Sequence, residues 1–432
     1  MNFVFISPNF PEVYRWFCIR LRENGVNVLG VGDGSYDELH PALKEALTEY
    51  YKVDSLEDYD QVLRAVGFFT WKYGKIDWVE SNNEYWLEMD AELRTDFNIT
   101  TGLNSSQISR FKSKLEMKKY YQAAGLPTAR CIPLTCLQAG LDFAKEVGYP
   151  IIVKPDNGVG AIATWKLRSD GEMRSFFEDP PTRPYLMEEY VPGVVTTYDG
   201  VCGSRGQVLF AASHITRNSI MDMVNEHVPT YYYVDKKVPA DVEAAGKATL
   251  KAFGAFSRFF HLEFFRLTED KPGLGKKGDI VALEVNMRPA GGFTPDMLNF
   301  SQSVDVYQIW ADMVAFDEMR HEYDGPRSYC VYAGRRDEVE YSMNLLQLEA
   351  RCGTHGRLFT RMPDALAGTM GNQVAIACFD TLREVDAFVQ EAFRTKAEAE
   401  AEILARREKE AAPAAKEEKG EVPGGRSARQ RK

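Results

Sequence analysis

The ten residues IVALEVNMRP, 280–289, decide how the rest of the chain is read. Their apolar pattern predicts a strand. In a strand alternate side chains share a face, so Glu284, Asn286 and Arg288 project one way while Val285 and Met287 project the other way, into a core. A carboxylate, an amide and a guanidinium on one face suit a hard cation bound together with a polyphosphate. The two oxygen donors ligate the metal, and the arginine faces negative charge. Gly291 and Gly292 follow and let backbone approach a ligand closely. The competing reading is a strand that shows its polar face to water, and Glu-x-Asn-x-Arg alone does not separate the two.

Upstream, FFHLEFF (259–265) is a second strand candidate. His261 and Glu263 share one face, and Phe260, Leu262 and Phe264 share the other. Glu263 is then a second carboxylate for a two-metal triphosphate site. Lys154 ends the apolar run YPIIVK (149–154) and enters PDNGVGA (155–161), which contains Gly158 and Gly160. A lysine beside such a loop can clamp phosphate, with loop N–H groups as added donors. The Walker A order G-x-x-x-x-G-K-[ST] is absent. Lys114 sits on a helix expected over residues 109–124 and closed by Gly125 and Pro127. Its neighbours Lys112, Lys118 and Lys119 favour the plainer reading of an exposed helix lysine. YLMEEYVPG (185–193) reads as a strand running into a linker, where backbone groups could meet an adenine edge and a flanking acid its exocyclic amine.

The wider chain supports an enzyme of several α/β parts. It has 432 residues, of which 44% are hydrophobic, enough for several cores. Residues 1–105 alternate strand and helix signals, with strands at 3–6, 26–31 and 75–79, a rhythm that predicts a small parallel sheet. Gly30, Gly32 and Gly34 follow the second strand and lack the dinucleotide spacing G-x-G-x-x-G. Helices are expected at 137–147 and 382–393, and a strand at 373–378. Beyond Phe393 there is no aromatic residue, and the Ala, Glu, Lys and Arg tail should be a solvated helix followed by disorder. The net charge of −11 disfavours an extended nucleic-acid face. Seven scattered cysteines without a CxxC pair, no secretory signal at the start and no long apolar stretch predict a cytoplasmic protein away from the membrane. The six histidines lack zinc-finger or HExxH spacing, so the expected metal is a hard cation.

Taken in order, Lys114, Lys154 with the Gly158 and Gly160 loop, Glu188-Glu189-Tyr190-Val191, Glu263 and Glu284-x-Asn286-x-Arg288 resemble the ATP-grasp superfamily. The likeness covers residues 1–390 and is to the carboxylate–amine ligase and carbamoyl-phosphate-synthetase-like or biotin-carboxylase-like branch. Asn83-Glu84 and the stretch 91–102 are similar to the end of that family's N-terminal domain. The resemblance implies an α/β fold, partly α+β. It comprises a Rossmann-like N-terminal domain (1–105), a lid subdomain with its leading helix (106–192), a larger catalytic subdomain (193–305), a C-terminal α+β piece (306–395) and a charged tail (396–432).

The resemblance also implies roles. Lys114 and Lys154 would bind ATP phosphates, aided by Gly158 and Gly160. Glu188, with Glu189, Tyr190 and Val191, would hold adenine. Glu263, Glu284 and Asn286 would ligate two magnesium ions, for which manganese could substitute, and Arg288 would be the catalytic charge stabiliser. Many members carry a ribose-binding acid seven residues after the first hinge glutamate, where this chain has Val195; Thr197 and Asp199 are the substitutes to test. The implied reaction activates a carboxylate as an acyl phosphate, with ADP released, for attack by an amine. Substrates would be small molecules, and a homodimer is left open. The rivals are a bicarbonate-activating enzyme, against which no carrier or glutaminase domain stands in the chain, and a non-catalytic ATP-binding module. Arg335, Arg336, His214 and Arg217 are either anion contacts or solvated surface.

Overall fold

The computed structural model describes residues 1–158, 163–217 and 229–411. Gly160, residues 218–228 and the tail beyond residue 411 lie outside that range. No helix among the described residues is long and apolar enough to cross a membrane.

The short apolar runs near the start pair as parallel strands. β1 (Asn2–Ile6), β2 (Asn27–Gly32), β3 (Glu49–Lys52) and β4 (Trp78–Glu80) form a sheet of order β3-β2-β1-β4. Parallel strands need cover on both faces. Val4, Ile6, Leu29 and Val31 pack with Val62, Val66 and Phe69 of the helix Tyr59–Tyr73. On the other side Phe3, Phe5 and Phe17 meet Trp310, which belongs to the helix Val306–Phe316. The Trp310 ring centroid is 4.9 Å from Phe17 and 5.6 Å from Phe3. Trp310 is fully buried there, so truncation to alanine should cost about 3–5 kcal/mol. One core thus joins the beginning of the chain to its later part.

The second sheet is antiparallel and smaller: β5 (Cys131–Pro133), β6 (Ile151–Pro155), β7 (Trp165–Leu167) and β8 (Tyr185–Glu189), in the order β5-β8-β6-β7. The helices Leu137–Val147 and Asp170–Phe176 close its own apolar core around Ile151, Val153 and Met187.

The third sheet holds nine strands among the described residues. They are β9 (Gly193–Cys202), β10 (Val208–Ala212), β11 (His214–Thr216), β12 (Thr230–Val234), β13 (Arg258–Leu267), β14 (Ile280–Asn286), β15 (Tyr329–Arg335), β16 (Gly356–Arg361) and β17 (Gln373–Phe379). The order is β14-β13-β9-β11-β12-β15-β17-β16, with β10 on β9. β12 pairs with β15, so residues 329–379 extend the sheet that carries 193–286.

Two expectations from sequence need correction. The helix expected over 109–124 divides at Ser113 into Ser105–Lys112 and Lys114–Ala123. The Ser113 hydroxyl caps the second helix by accepting from the Glu116 N–H, which makes Lys114 a first-turn residue. The run 280–289 also departs from simple alternation. β14 ends at Asn286, and a bulge lies opposite β13, where Glu263 pairs with Glu284 and Phe264 with Ala282. The extra residue, Leu283, lets Ala282 and Val285 enter the same core while Glu284 and Asn286 stay on the other side.

Candidate active site

The polar sides of β13 and β14 carry the acidic half of the site. His261 lies opposite Asn286, and Glu263 opposite Glu284. Phe260, Leu262 and Phe264 go to the core, as their alternation requires. Arg288 comes just beyond the strand, where its Nη1 donates to the Pro289 carbonyl at 2.8 Å. Its Nε is 3.2 Å from Glu84 Oε2, and its Nη2 is 3.5 Å from Asn286 Oδ1. Gly292 follows with φ +63°, a left-handed conformation that suits glycine.

The basic half comes from the second sheet and the divided helix. Asp156, in the loop after β6, accepts from the Leu115 N–H at 2.9 Å and from the Ser113 hydroxyl at 2.8 Å. That tie fixes the start of the helix Lys114–Ala123 against the loop. Lys114 Nζ then lies 3.1 Å from Glu284 Oε1 and 3.2 Å from the Gly158 carbonyl oxygen. Lys154 Nζ lies 2.5 Å from Glu188 Oε2, and Lys118 binds the other oxygen of the same carboxylate. Lys112 Nζ is 2.7 Å from Glu84 Oε1.

Lys112, Lys114 and Lys118 are all buried, whereas Lys119 is exposed, so the plain reading as surface lysines fails for three of the four. Lys118 and Glu84 carry no assigned role in the sequence reading. The spacing of Lys114 and Lys118, one helical turn apart, is the only local sign that both share a face.

Burial alone would raise the Glu188 carboxyl, but Lys118 and Lys154 outweigh it and hold it at about 2. Burial likewise opposes the charge on Lys154, and Glu188 more than compensates, so its pKa is raised. The Glu84 carboxyl is also held down, against its burial, by Arg288 and Lys112. Glu263 stays ionised in the same way through His261 and Arg288.

The residues expected on the adenine side are each engaged within the protein. The Glu188 carboxylate turns to the two lysines and so is not aimed at an open adenine edge. The Glu189 carboxylate is buried against Arg130, with Oε2 2.7 Å from Nη2, and the Glu189 N–H donates to the Arg130 carbonyl. Tyr190 stacks under Lys166 Nζ at 4.4 Å. Val191 packs with Ala129, Leu267 and Val281.

Val195 is buried between β11 and β13. Thr197 and Asp199, the substitutes considered for ribose, are buried in a network with His214 and His261. Arg335 and Arg336 are buried, which removes the solvated-surface alternative for both. The Arg335 guanidinium lies over the Tyr341 ring at 3.9 Å, and Arg336 reaches the Gly368 carbonyl. Arg217 stands over the Tyr233 ring at 5.6 Å.

No family model matches the chain. Among curated proteins it is 27% identical over 237 residues to a D-alanine–D-alanine ligase of Bacillus velezensis, covering 48% of this chain and 61% of that one. It is 21% identical over 317 residues to an L-arginine-specific L-amino acid ligase of Bacillus subtilis, covering 71% and 74%. A shorter match, 21% over 118 residues, is to the carbamoyl phosphate synthase large chain of Pyrococcus furiosus, of which it spans 11%.

Among solved structures it resembles an L-amino acid ligase from Bacillus licheniformis, with a TM-score of 0.67, 16% identity, and 90% and 96% of the two chains covered. It likewise resembles an N5-carboxyaminoimidazole synthetase from Staphylococcus aureus complexed with ADP, with a TM-score of 0.67, 13% identity, and 91% and 97% covered. The chain has the ATP-grasp fold and resembles, in sequence and in structure, the carboxylate–amine ligase branch of that superfamily.

Proposed function

We propose that the protein is an ATP-dependent ligase that activates a small carboxylate as an acyl phosphate for attack by an amine. The observation that carries this reading is the matched pairing of site lysines and site acids: Lys114 with Glu284, and Lys118 and Lys154 with Glu188. Buried charges need partners. At the Lys114–Glu284 pair a magnesium–triphosphate can replace both partners at once, with a phosphate oxygen taking the lysine and the cation taking the acid. The ADP complex among the similar structures supports the nucleotide.

Glu263, Glu284 and Asn286 offer carboxylate and amide oxygens, the donor set a hard dication takes, and they would hold two magnesium ions, with manganese as a substitute. Those ions supply charge neutralisation to the triphosphate. Lys114 and Lys154 bind phosphate oxygens, and Lys118 keeps Glu188 turned to Lys154. The segment 188–191 lies along the nucleotide. Arg288, held by Glu84, faces the transferred phosphoryl group. The γ-phosphoryl group passes to the substrate carboxylate and ADP leaves. The amine then forms the C–N bond while phosphate departs. Positioning and charge stabilisation do most of this work. All seven cysteines are unpaired, which suits a reducing compartment, and we place the protein in the cytoplasm.

The test is ADP release on a panel of amino acids and small carboxylates, with hydroxylamine added to trap the acyl phosphate as a hydroxamate. ADP and hydroxamate formed in step support the ligase. AMP and pyrophosphate would overturn it. ADP release that needs only bicarbonate would move the assignment to bicarbonate activation, and ATP binding without any turnover would move it to a binding module.

A further inference from the structure

On the same side of the large sheet, next to Glu263, three buried groups converge that the ligase reading leaves without a task. Asp199 lies on β9, His261 opposite it on β13, and His214 on β11, the strand beyond. The two imidazoles point the same nitrogen at the two oxygens of one carboxylate. His261 Nδ1 is 2.6 Å from Asp199 Oδ1, and His214 Nδ1 is 2.8 Å from Asp199 Oδ2. Donor atoms of all three residues lie within 4.8 Å of one another.

We propose that Asp199, His214 and His261 form a binding site for a transition-metal dication of the zinc class, separate from the magnesium positions on Glu263, Glu284 and Asn286. Two imidazole nitrogens and one carboxylate oxygen are the ligand types such an ion selects, and they differ from the all-oxygen set beside them. The donors stand on three neighbouring strands of one sheet, so their spacing is built into the fold and does not rest on loops. Three protein ligands leave a coordination position for water or substrate.

The surroundings match what a ligating imidazole needs. The far nitrogen of His261, Nε2, is 3.0 Å from Glu263 Oε1, the outer carboxylate contact that fixes tautomer and ring orientation at metal sites. Thr197 does the same for the acid, with Oγ1 2.5 Å from Asp199 Oδ2. His214 Nε2 has no protein partner among the described residues. A dication here would brace Glu263 through His261, so its occupancy would bear on the neighbouring magnesium position. The alternative is an aspartate that merely holds two imidazoles.

The experiment needs neither ATP nor a known substrate, so its result stands apart from that of the ligase assay. The full chain is stripped with chelator and titrated with Co²⁺ while excess Mg²⁺ fills the oxygen-only positions. We expect one equivalent of Co²⁺ with the intense visible bands of a four- or five-coordinate nitrogen-ligated ion, displaced by Zn²⁺. His214→Gln, which touches none of the magnesium candidates, should weaken binding by at least about 100-fold, the upper end of what loss of an outer contact costs. Zinc X-ray absorption on the unaltered chain guards against a variant that does not fold, and should show two imidazoles at about 2.0–2.1 Å. Absorption no stronger than that of aqueous Co²⁺, an all-oxygen zinc environment, or undiminished binding in a folded His214→Gln chain would each overturn the proposal.

Discussion

Lys114 Nζ stands 3.1 Å from Glu284 Oε1, so a lysine assigned to phosphate and an acid assigned to magnesium neutralise each other before either meets its ligand. Their backbones come from different parts of the fold, the lysine from a helix capped against the loop after β6 and the acid from beside the bulge in β14. Magnesium and nucleotide should therefore bind with mutual dependence, because each releases the partner of the other. Glu284→Gln removes the charge and hardly alters the volume, so folding should survive. The magnesium concentration for half-maximal rate should rise by about tenfold or more, roughly 1.4 kcal/mol. Added magnesium should partly restore turnover. A magnesium titration of the steady-state rate checks this, and an unchanged midpoint would remove Glu284 from the metal site.

Glu188 gives a prediction in pH. Its folded pKa, about 2, lies below the ordinary value of 4.5. A depressed carboxyl contributes stability that is present above its unfolded pKa and lost as pH falls through the folded one. Glu188→Gln leaves Lys118 and Lys154 buried without their anion and should cost about 3–5 kcal/mol near neutrality. The gap between the two proteins should hold above pH 4.5 and shrink between 4.5 and about 2. Denaturant melts at several pH values measure it. A gap that widens on acidification would contradict the ion-pair account.

What could be read in advance was what local pattern encodes. The alternation of Phe260, Leu262 and Phe264 against His261 and Glu263 gave strand, core face and polar face together, and the order of the charged motifs pointed to the fold. The bulge at Leu283 and the break at Ser113 leave no local signal, because each is one residue whose effect depends on a partner elsewhere in the chain: Phe264 for the first and Asp156 for the second. The burial of Lys112, Lys114 and Lys118 is hidden from the sequence for a related reason. A lysine on a polar helix looks the same whether it meets water or Glu188, 70 residues on. Glu84 carries no local signal, since its pairing with Arg288 spans 204 residues and leaves no periodic trace.

The tail should be dispensable. The helix Lys396–Ala411 shows Ile403 and Leu404 largely exposed, and its tie to the body through Arg394 and Glu402 is a surface pair. Such pairs contribute about 0–1 kcal/mol. A chain ending at residue 399 should keep its rate, with a Tm within a few degrees of the full chain, since 1 kcal/mol moves Tm by only about 1 °C at this size. Calorimetry of the two chains decides it, and a fall well beyond that would show that the tail packs.

Arg288 and Glu84 allow charge stabilisation to be separated from metal ligation. Arg288 contacts Glu84 and Asn286 but offers no ligand atom to a cation, so its loss should not be repaired by magnesium. Arg288→Ala should lower kcat by on the order of 10²–10⁴, as removal of other preorganised charge stabilisers does, with nucleotide affinity little changed. Glu84→Gln keeps the arginine and loosens its aim, because the amide can accept from Nε but no longer supplies the charge that pairs with Arg288 and Lys112. Its effect on kcat should be smaller, about tenfold, with KM for ATP nearly constant. If Glu84 acts by positioning Arg288, the double variant should be little slower than Arg288→Ala alone, since residues that work as one unit do not add. Steady-state kinetics of the three proteins closes the cycle. Full additivity would give Glu84 a separate task, and near-normal turnover in Arg288→Ala would mean that the polar end of β14 does not serve phosphoryl transfer.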